Sequence, residues 1–316
     1  MKLRILTLVL LLCSCTKDSF EDCEPKDNVH ITVKTDYDLR STSAASAEWY
    51  SIDEVSIFVV DANNNLVTSW EGGAYTADED YRATFSLQEG FYRFVVWTNL
   101  GDTYTVSSPL GDVKSGLFID DIMINMAIPP DGKIRESIPH RHYGSITNTK
   151  IFRNRDNNYV VTIKPHTYKL NFKIKGLSPL FHQYDIMVTD NNWSHRLDNS
   201  CVSGKECYHH IRSTEYQPRS RAVQLDPFTN ELTDSMILLQ MDDDTETTFS
   251  IVNSLTEEII YSVDLIQTIT QAFTNAGELL DFSRIFEFDI VFTFDTHMFV
   301  TVSVNGWDYT EQDQKL

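Results

Sequence analysis

Beyond its first dozen residues, the 316-residue chain has no uncharged apolar stretch near the roughly 20 residues a spanning helix needs, so no later helix is expected to cross a bilayer. Basic residues are few: 26 Lys and Arg stand against 46 Asp and Glu, a formal charge of −20. So acidic a surface argues against nucleic acid as a partner and against lying flat on an anionic membrane. There is no G-x-S-x-G elbow, no P-loop and no G-x-G-x-x-G turn, which removes the usual signatures of serine hydrolases and of nucleotide and dinucleotide enzymes. Pro-rich, Gly/Ser-rich and short-period repeat segments are also missing. Carboxylates are so abundant that choosing two as an acid and base pair is arbitrary, and nothing in the sequence calls for an enzyme, a cofactor or a metal.

What is present begins at the N-terminus. Lys2 and Arg4 precede Ile5-Leu6-Thr7-Leu8-Val9-Leu10-Leu11-Leu12, a run too short to span and shaped like a secretory signal. Measured from Cys15, Ser14 stands at −1 and Leu12 at −3, the small-residue box of a bacterial lipoprotein; measured from Cys13, bulky Leu12 would occupy −1. Residues 1–14 are therefore expected to be a signal peptide and Cys15 the lipidated first residue of the mature chain. A diacylglyceryl thioether plus an amide-linked acyl chain such as palmitate, at about 0.8 kcal/mol per buried CH₂, gives stable attachment. Residues 15–28 are charged, poor in large apolar residues, and read as a tether. Thr16 beside the cysteine does not suggest inner-membrane retention, and the acidic tether resembles the export signals of surface-exposed outer-membrane lipoproteins. Losing Lys2 and Arg4 takes the charge from −20 to −22, and an arm holding the body off the bilayer is the picture that follows.

Cys23, Cys201 and Cys207 would then sit in an oxidising compartment. Cys201 and Cys207 are close enough to close a small loop, with unpaired thiols as the competing reading; C-x-x-C zinc spacing is missing. His140-Arg141-His142 and His209-His210 lie in loop-like sequence and are expected to be solvated or stacked surface histidines rather than metal ligands. Asp61-Ala62-Asn63-Asn64-Asn65 imitates the start of a calcium loop, but Leu66 stands in the place of the turn glycine and Gly72 in that of the bidentate glutamate. It reads as a hairpin turn, and Asp242-Asp243-Asp244 as a hairpin tip.

Three hundred residues favour two domains of about 140. Tyr81 to Gln88 alternates apolar with polar residues, as does Phe286 to Phe294, the mark of a strand with one face on a core. Val55–Val60, Phe91–Trp97, Tyr159–Ile163, Tyr168–Ile174, Tyr184–Val188, Thr248–Val252 and Met298–Val304 are rich in β-branched and aromatic residues and also predict strands. One helix is expected, over Ile259 to Phe273, where Ile259, Val263, Ile266 and Phe273 recur at three and four residue spacing before Asn275-Ala276-Gly277. Strands without regular βαβ alternation predict a mainly β chain of two antiparallel sandwiches, the helix crossing an end or edge of the second. The polar run 153–158 is the expected boundary, giving domains over 29–155 and 156–316.

The stretches Ser51 to Asp61 and Leu87 to Leu100 resemble the first domain of the fimbrillin-A-associated anchor proteins of the FimB/Mfa type. Tyr143-Gly144, the strands Tyr159–Ile163 and Tyr168–Ile174, Thr189-Asp190-Asn191-Asn192 and Val304-Asn305-Gly306-Trp307 are similar to later features of that family. The resemblance implies two tandem transthyretin-like β-sandwich domains, a lipid-anchored place at the base of a fimbria on the outer membrane, fimbrial stalk or accessory subunits as partners, and assembly by strand complementation. It also implies a role in limiting filament length. Beyond Trp307 the sequence is short and mostly polar, a poor donor strand, so the subunit is expected to end the filament and to offer an acceptor edge or a docking face. A surface glycan-binding or adhesive lipoprotein is the rival reading, with Trp49, Trp70 and Trp193 as its first aromatic suspects. Asp234-Ser235-Met236 resembles an O-glycosylation signal centred on Ser235.

Overall fold

The computed structural model describes residues 26–36, 51–76, 80–177, 184–202, 208–213, 224–226, 231–241, 247–297 and 299–310. Residues 1–14, Cys15, Cys23, Trp49, Cys207 and Asp242 to Asp244 lie outside them.

The first sandwich is built from a single sheet. Strands β1 (Asp27–Thr35), β3 (Val55–Asp61), β4 (Leu66–Gly72), β6 (Tyr81–Leu87), β7 (Gly90–Thr98), β11 (His142–Ile151) and β12 (Asn157–Pro165) form seven strands in the order β4-β3-β7-β11-β12-β1-β6. Neighbouring β11 and β12 share only the pairs His142 with Pro165 and Tyr143 with Lys164. The sheet folds there, and the inward residues of both halves, among them Val29, Ile31, Ile57, Phe85, Phe94 and Val161, make one core. Glycine is required at the crease: a Cβ on Gly144 would lie 2.3 Å from the Thr162 carbonyl oxygen and 3.0 Å from Ile163 Cα. On the far side the two sheet edges are joined by Trp70 Nε1 donating to Tyr81 Oη at 2.9 Å. A short pair, β2 (Ser51–Ile52) and β5 (Tyr75–Thr76), completes this unit.

The second sandwich packs a six-stranded sheet on a five-stranded one. The first comprises β17 (Gln224–Asp226), β18 (Glu231–Leu239), β13 (Thr167–Lys175), β21 (Glu287–Phe294), β22 (Val300–Val304) and β23 (Trp307–Thr310), in that order. The second runs β10 (Lys133–Ile134), β16 (Tyr208–Ser213), β14 (Tyr184–Asp190), β19 (Thr248–Asn253) and β20 (Ile259–Asp264). Alternation on both sheets turns Leu170, Phe172, Ile186, Phe249, Ile290, Phe292 and Val302 inward. Phe249 stacks on Phe292 with centroids 4.4 Å apart. Helix α1 (Leu265–Asn275) closes one side, with Phe273 set edge-on to Trp307 at 4.5 Å.

Three sequence expectations change. The helix expected from Ile259 starts only at Leu265, because Ile259 to Asp264 alternates against the partner strand β19 as β20. Asp264 then caps the helix, its carboxylate accepting from Gln267 N, so a strand and a helix share the apolar spacing that read as one helix. Strand β12, expected beyond the boundary at 155, belongs to the first sheet, and the chain crosses between sandwiches at His166. Finally, β1 runs parallel to β12 and β13 parallel to β21. Each sandwich therefore opens with a strand held between one parallel and one antiparallel neighbour.

Substituting Gly144→Ala should cost about 1–3 kcal/mol of unfolding free energy, the range for overpacking a filled site. Gly73→Ala, where an added Cβ meets nothing within 4 Å, should leave the urea midpoint nearly unchanged.

Candidate functional site

Residues 99–141, between β7 and β11, stay attached to the first sheet at the β3–β4 hairpin, where Leu66 N donates to Leu117 O at 2.7 Å, and also bind the second sandwich. Strand β8 (Tyr104–Ser107) pairs with β9 (Met123–Met126), and β9 pairs with β15 (Ser194–Arg196), which belongs to the second half of the chain. Strand β10 joins the five-stranded sheet alongside β16. A third core fills the space between, with Phe58, Val95, Trp97, Leu100, Ile122 and Ile124 from one side and Leu197 and Leu239 from the other. Backbone contacts cross the same line: Trp97 Nε1 donates to Leu197 O at 3.0 Å, Tyr143 Oη to Asp198 O at 3.0 Å, and Leu197 N to Ile122 O at 2.9 Å.

At the centre is Arg141, 0 % exposed. Its guanidinium lies 4.7 Å from the centroid of Trp97 and 4.5 Å from that of Tyr104, and Nη2 is 2.9 Å from His166 Nδ1. A guanidinium can only donate, so His166 Nδ1 accepts and its proton resides on Nε2. His166 meets Trp97 and His195 edge-on, both at 4.9 Å. Above the cluster, Asn99 adopts φ 53°. Its side-chain oxygen accepts from Asp53 N at 2.7 Å, and its amide donates to Ser51 O and to His140 O. Thr98 Oγ1 accepts from His142 N at 2.9 Å while contacting His142 Nδ1 at 3.0 Å.

The histidines expected on the surface are thus buried: His140, His142 and His210 are 5, 1 and 0 % exposed. The segment looked loop-like because its residues are polar, yet inside the joint Asn99 bonds to His140 O, Thr98 to His142, and His140 Nδ1 contacts Thr167 Oγ1. Adjacent His209 and His210 sit in β16 and alternate, His209 contacting Thr189 Oγ1 at 2.8 Å. Among the described residues no group of three His, Cys, Asp or Glu side chains is placed to hold a metal. Asp61 Oδ1 accepts from Asn63 N and Asn65 N, and Asn64 takes φ 64°, the hairpin turn anticipated. Cys201 is half-buried and its backbone pairs antiparallel with that of His195, while its expected disulfide partner Cys207 lies outside the described residues. Ser235 lies within β18, opposite Asn171 of β13. Trp70 is exposed on edge strand β4, whereas Trp193 packs against the joint core, so these two share no platform.

Beside the joint a cleft of about 230 Å³ opens between the sandwiches, walled by Tyr143, His166, Tyr168, Gln240 and Phe282. Sequence reasoning missed Thr98, Asn99 and His166, although the turn run Thr98-Asn99-Leu100-Gly101-Asp102 behind a continuous apolar strand was a signal for the first two.

A family profile described as fimbrillin-A associated anchor proteins Mfa1 and Mfa2 matches residues 20–313. The chain belongs to this family. Among curated proteins none matches. The fold is shared with the fimbrial anchor protein Mfa2 from Porphyromonas gingivalis, at 15 % identity and TM-score 0.67, covering 91 % of this chain and 100 % of that one. It is also shared with a candidate polysaccharide-binding protein from Bacteroides thetaiotaomicron, at 18 % identity and TM-score 0.71 over 90 % of this chain and 99 % of that one. A candidate adhesin from the same species matches at 16 % identity and TM-score 0.67, over 92 % and 99 %. Membership in an anchor family places the chain among fimbria-associated structural proteins at the cell surface.

Burial, helped by the nearby charges of His142 and Lys169, holds His140 at about 3 against its ordinary 6.5. Burial and the Arg141 charge hold His166 and His195 well below 6.5. All three stay neutral while folded, so below about pH 6.5 the unfolded chain binds more protons and stability declines toward pH 3. The loss should approach at most about 1.4 kcal/mol per pH unit for each histidine. Urea midpoints followed by circular dichroism should be flat above pH 7 and fall between pH 6.5 and 5, less steeply in His140→Gln.

Proposed function

We propose that the protein is an outer-membrane lipoprotein that moors a fimbria at its base and limits the filament's length. The observation that carries this reading is the order of parts along the molecule. Residue 27 enters β1 beside Leu87, at the end of the first sandwich away from Trp97 and His142, the residues through which that sandwich meets the second. A lipid on Cys15 would hold the first pole and leave the second sandwich facing outward to stalk or accessory subunits.

Two features support a terminating role. The groove between β6 and β12 is filled by the chain's own β1, whose Val29, Ile31 and Val33 are all 0 % exposed. Burial of such side chains stabilises by about 2 kcal/mol each, so an incoming strand cannot readily displace it. The tail supplies edge strand β23 to its own sheet through Val304 with Trp307 and Thr301 with Thr310, which keeps those residues from being offered elsewhere. Pairing of a partner strand with an edge of the second sandwich is the docking mode that fits. A Cys201–Cys207 bridge and glycan on Ser235 belong to the same proposal. The rival glycan-binding or adhesive role draws on what the Bacteroides relatives are described as, and the separated Trp70 and Trp193 do not favour it.

In Cys15→Ala cells, fractionation should find the protein and its filaments shed into the medium, or the protein retained unprocessed in the inner membrane. Filaments that stay cell-bound at normal length would count against mooring. Truncation after Asp308 should preserve capture of the stalk subunit in pull-downs, and complete loss of capture would refute a dispensable tail.

A further inference from the structure

Three exposed aromatic side chains lie toward the pole where β1 begins. Phe91 at the start of β7, Phe118 and Phe152 after β11 are 51, 55 and 37 % exposed. Strand register brings them to one end. Phe91 pairs with Lys150, Phe118 bridges Asn65 at the β3–β4 hairpin, and that hairpin's Asp61 pairs with Tyr92. Cations lie over the rings: Lys150 Nζ is 5.7 Å from the Phe91 centroid and 5.0 Å from that of Phe152, and the Arg155 guanidinium is 5.3 Å from Phe152. Asn154 N donates to Asp27 Oδ1 at 3.0 Å, which fixes the patch against the residue at which the chain enters the fold.

Grouped exposed aromatics on a soluble domain mark an interaction surface. Rings that sit at the boundary between headgroups and acyl chains, flanked by long basic side chains that reach phosphates, are what an interfacial membrane contact requires. The chain outside the fold points the same way. Residues 16–26 separate Cys15 from Asp27, a reach of at most roughly 40 Å and about 20 Å on average for a flexible coil. A lipid on Cys15 would keep this pole near the bilayer at high effective concentration, so even a weak contact would be occupied.

We propose that this pole of the first sandwich rests on phosphate-bearing membrane lipid, with Phe91, Phe118 and Phe152 at the headgroup boundary and Lys150 and Arg155 on the phosphates. The inference rests on lipidation at Cys15 for its proximity. It replaces an arm that holds the body clear of the bilayer with end-on contact, and the acidic remainder of the surface keeps the molecule from lying flat.

The test uses the native lipidated chain reconstituted on phosphatidylethanolamine–phosphatidylglycerol vesicles, some with brominated acyl tails. In Phe152→Trp the added fluorescence should be quenched several-fold more than that added by Phe299→Trp, at an exposed position in the second sandwich. Adding Lys150→Glu and Arg155→Glu to Phe152→Trp should relieve that quenching. Equal or absent quenching at the two positions, in protein that sediments with the vesicles, overturns the end-on contact and leaves mooring intact. Protein that does not sediment overturns both. If emission of the tryptophan at position 152 is already blue-shifted without vesicles, and deleting residues 16–25 reverses the shift, the patch is covered by the chain's own tether and the proposal fails.

Discussion

The guanidinium of Arg141, stacked between Trp97 and Tyr104 and donating to His166, is the contact on which the relation between the two sandwiches depends. Withdrawing such a group from water costs several kcal/mol, and a desolvated ring face returns about 2 kcal/mol. Both rings and the neutral imidazole therefore help to hold the buried charge. Those partners come from β7, β8 and the link between β12 and β13, so one side chain fixes three segments. Through His195 the cluster reaches the loop that carries β15.

The two sandwiches repeat one plan. In each, an opening strand pairs in parallel with a later one and antiparallel with another: β1 with β12 and β6, β13 with β21 and β18. The polar outer face of the second repeat carries its own ladder, with Lys173 on Glu231 at 2.7 Å and Asn171 on Asp289 at 2.8 Å. Exposed pairs of this kind add at most about 1 kcal/mol each, so the buried apolar faces, not this ladder, account for most of the stability.

Most strands were legible because one-face burial imposes alternation, as in Tyr81–Leu87 and Glu287–Phe294. The strand and helix at Ile259 to Asn275 were not separable by spacing, since apolar residues two apart on β20 continue into residues three and four apart on α1. The break is visible only in Asp264, as a cap. The joint was nearly invisible. Polar types such as His140, Arg141, His142, Thr98 and Asn99 read as solvent-facing, and no local pattern indicates that Asn99 bonds to His140, 41 residues away, or Thr98 to His142, 44 residues away. The parallel register of β1 was equally out of reach, because alternation fixes which face a residue takes but not its neighbour or direction.

That strand has a mechanical consequence. Its seven residues Val29 to Thr35 register with β12, and Asp27 to Val33 with β6. A pull at residue 27 directed away from the joint acts along the strand axis, so rungs on both flanks are loaded together in shear instead of being peeled one by one. Tension between the N-terminus and the distal sandwich would thus be borne by the strongest geometry that a β-sheet offers.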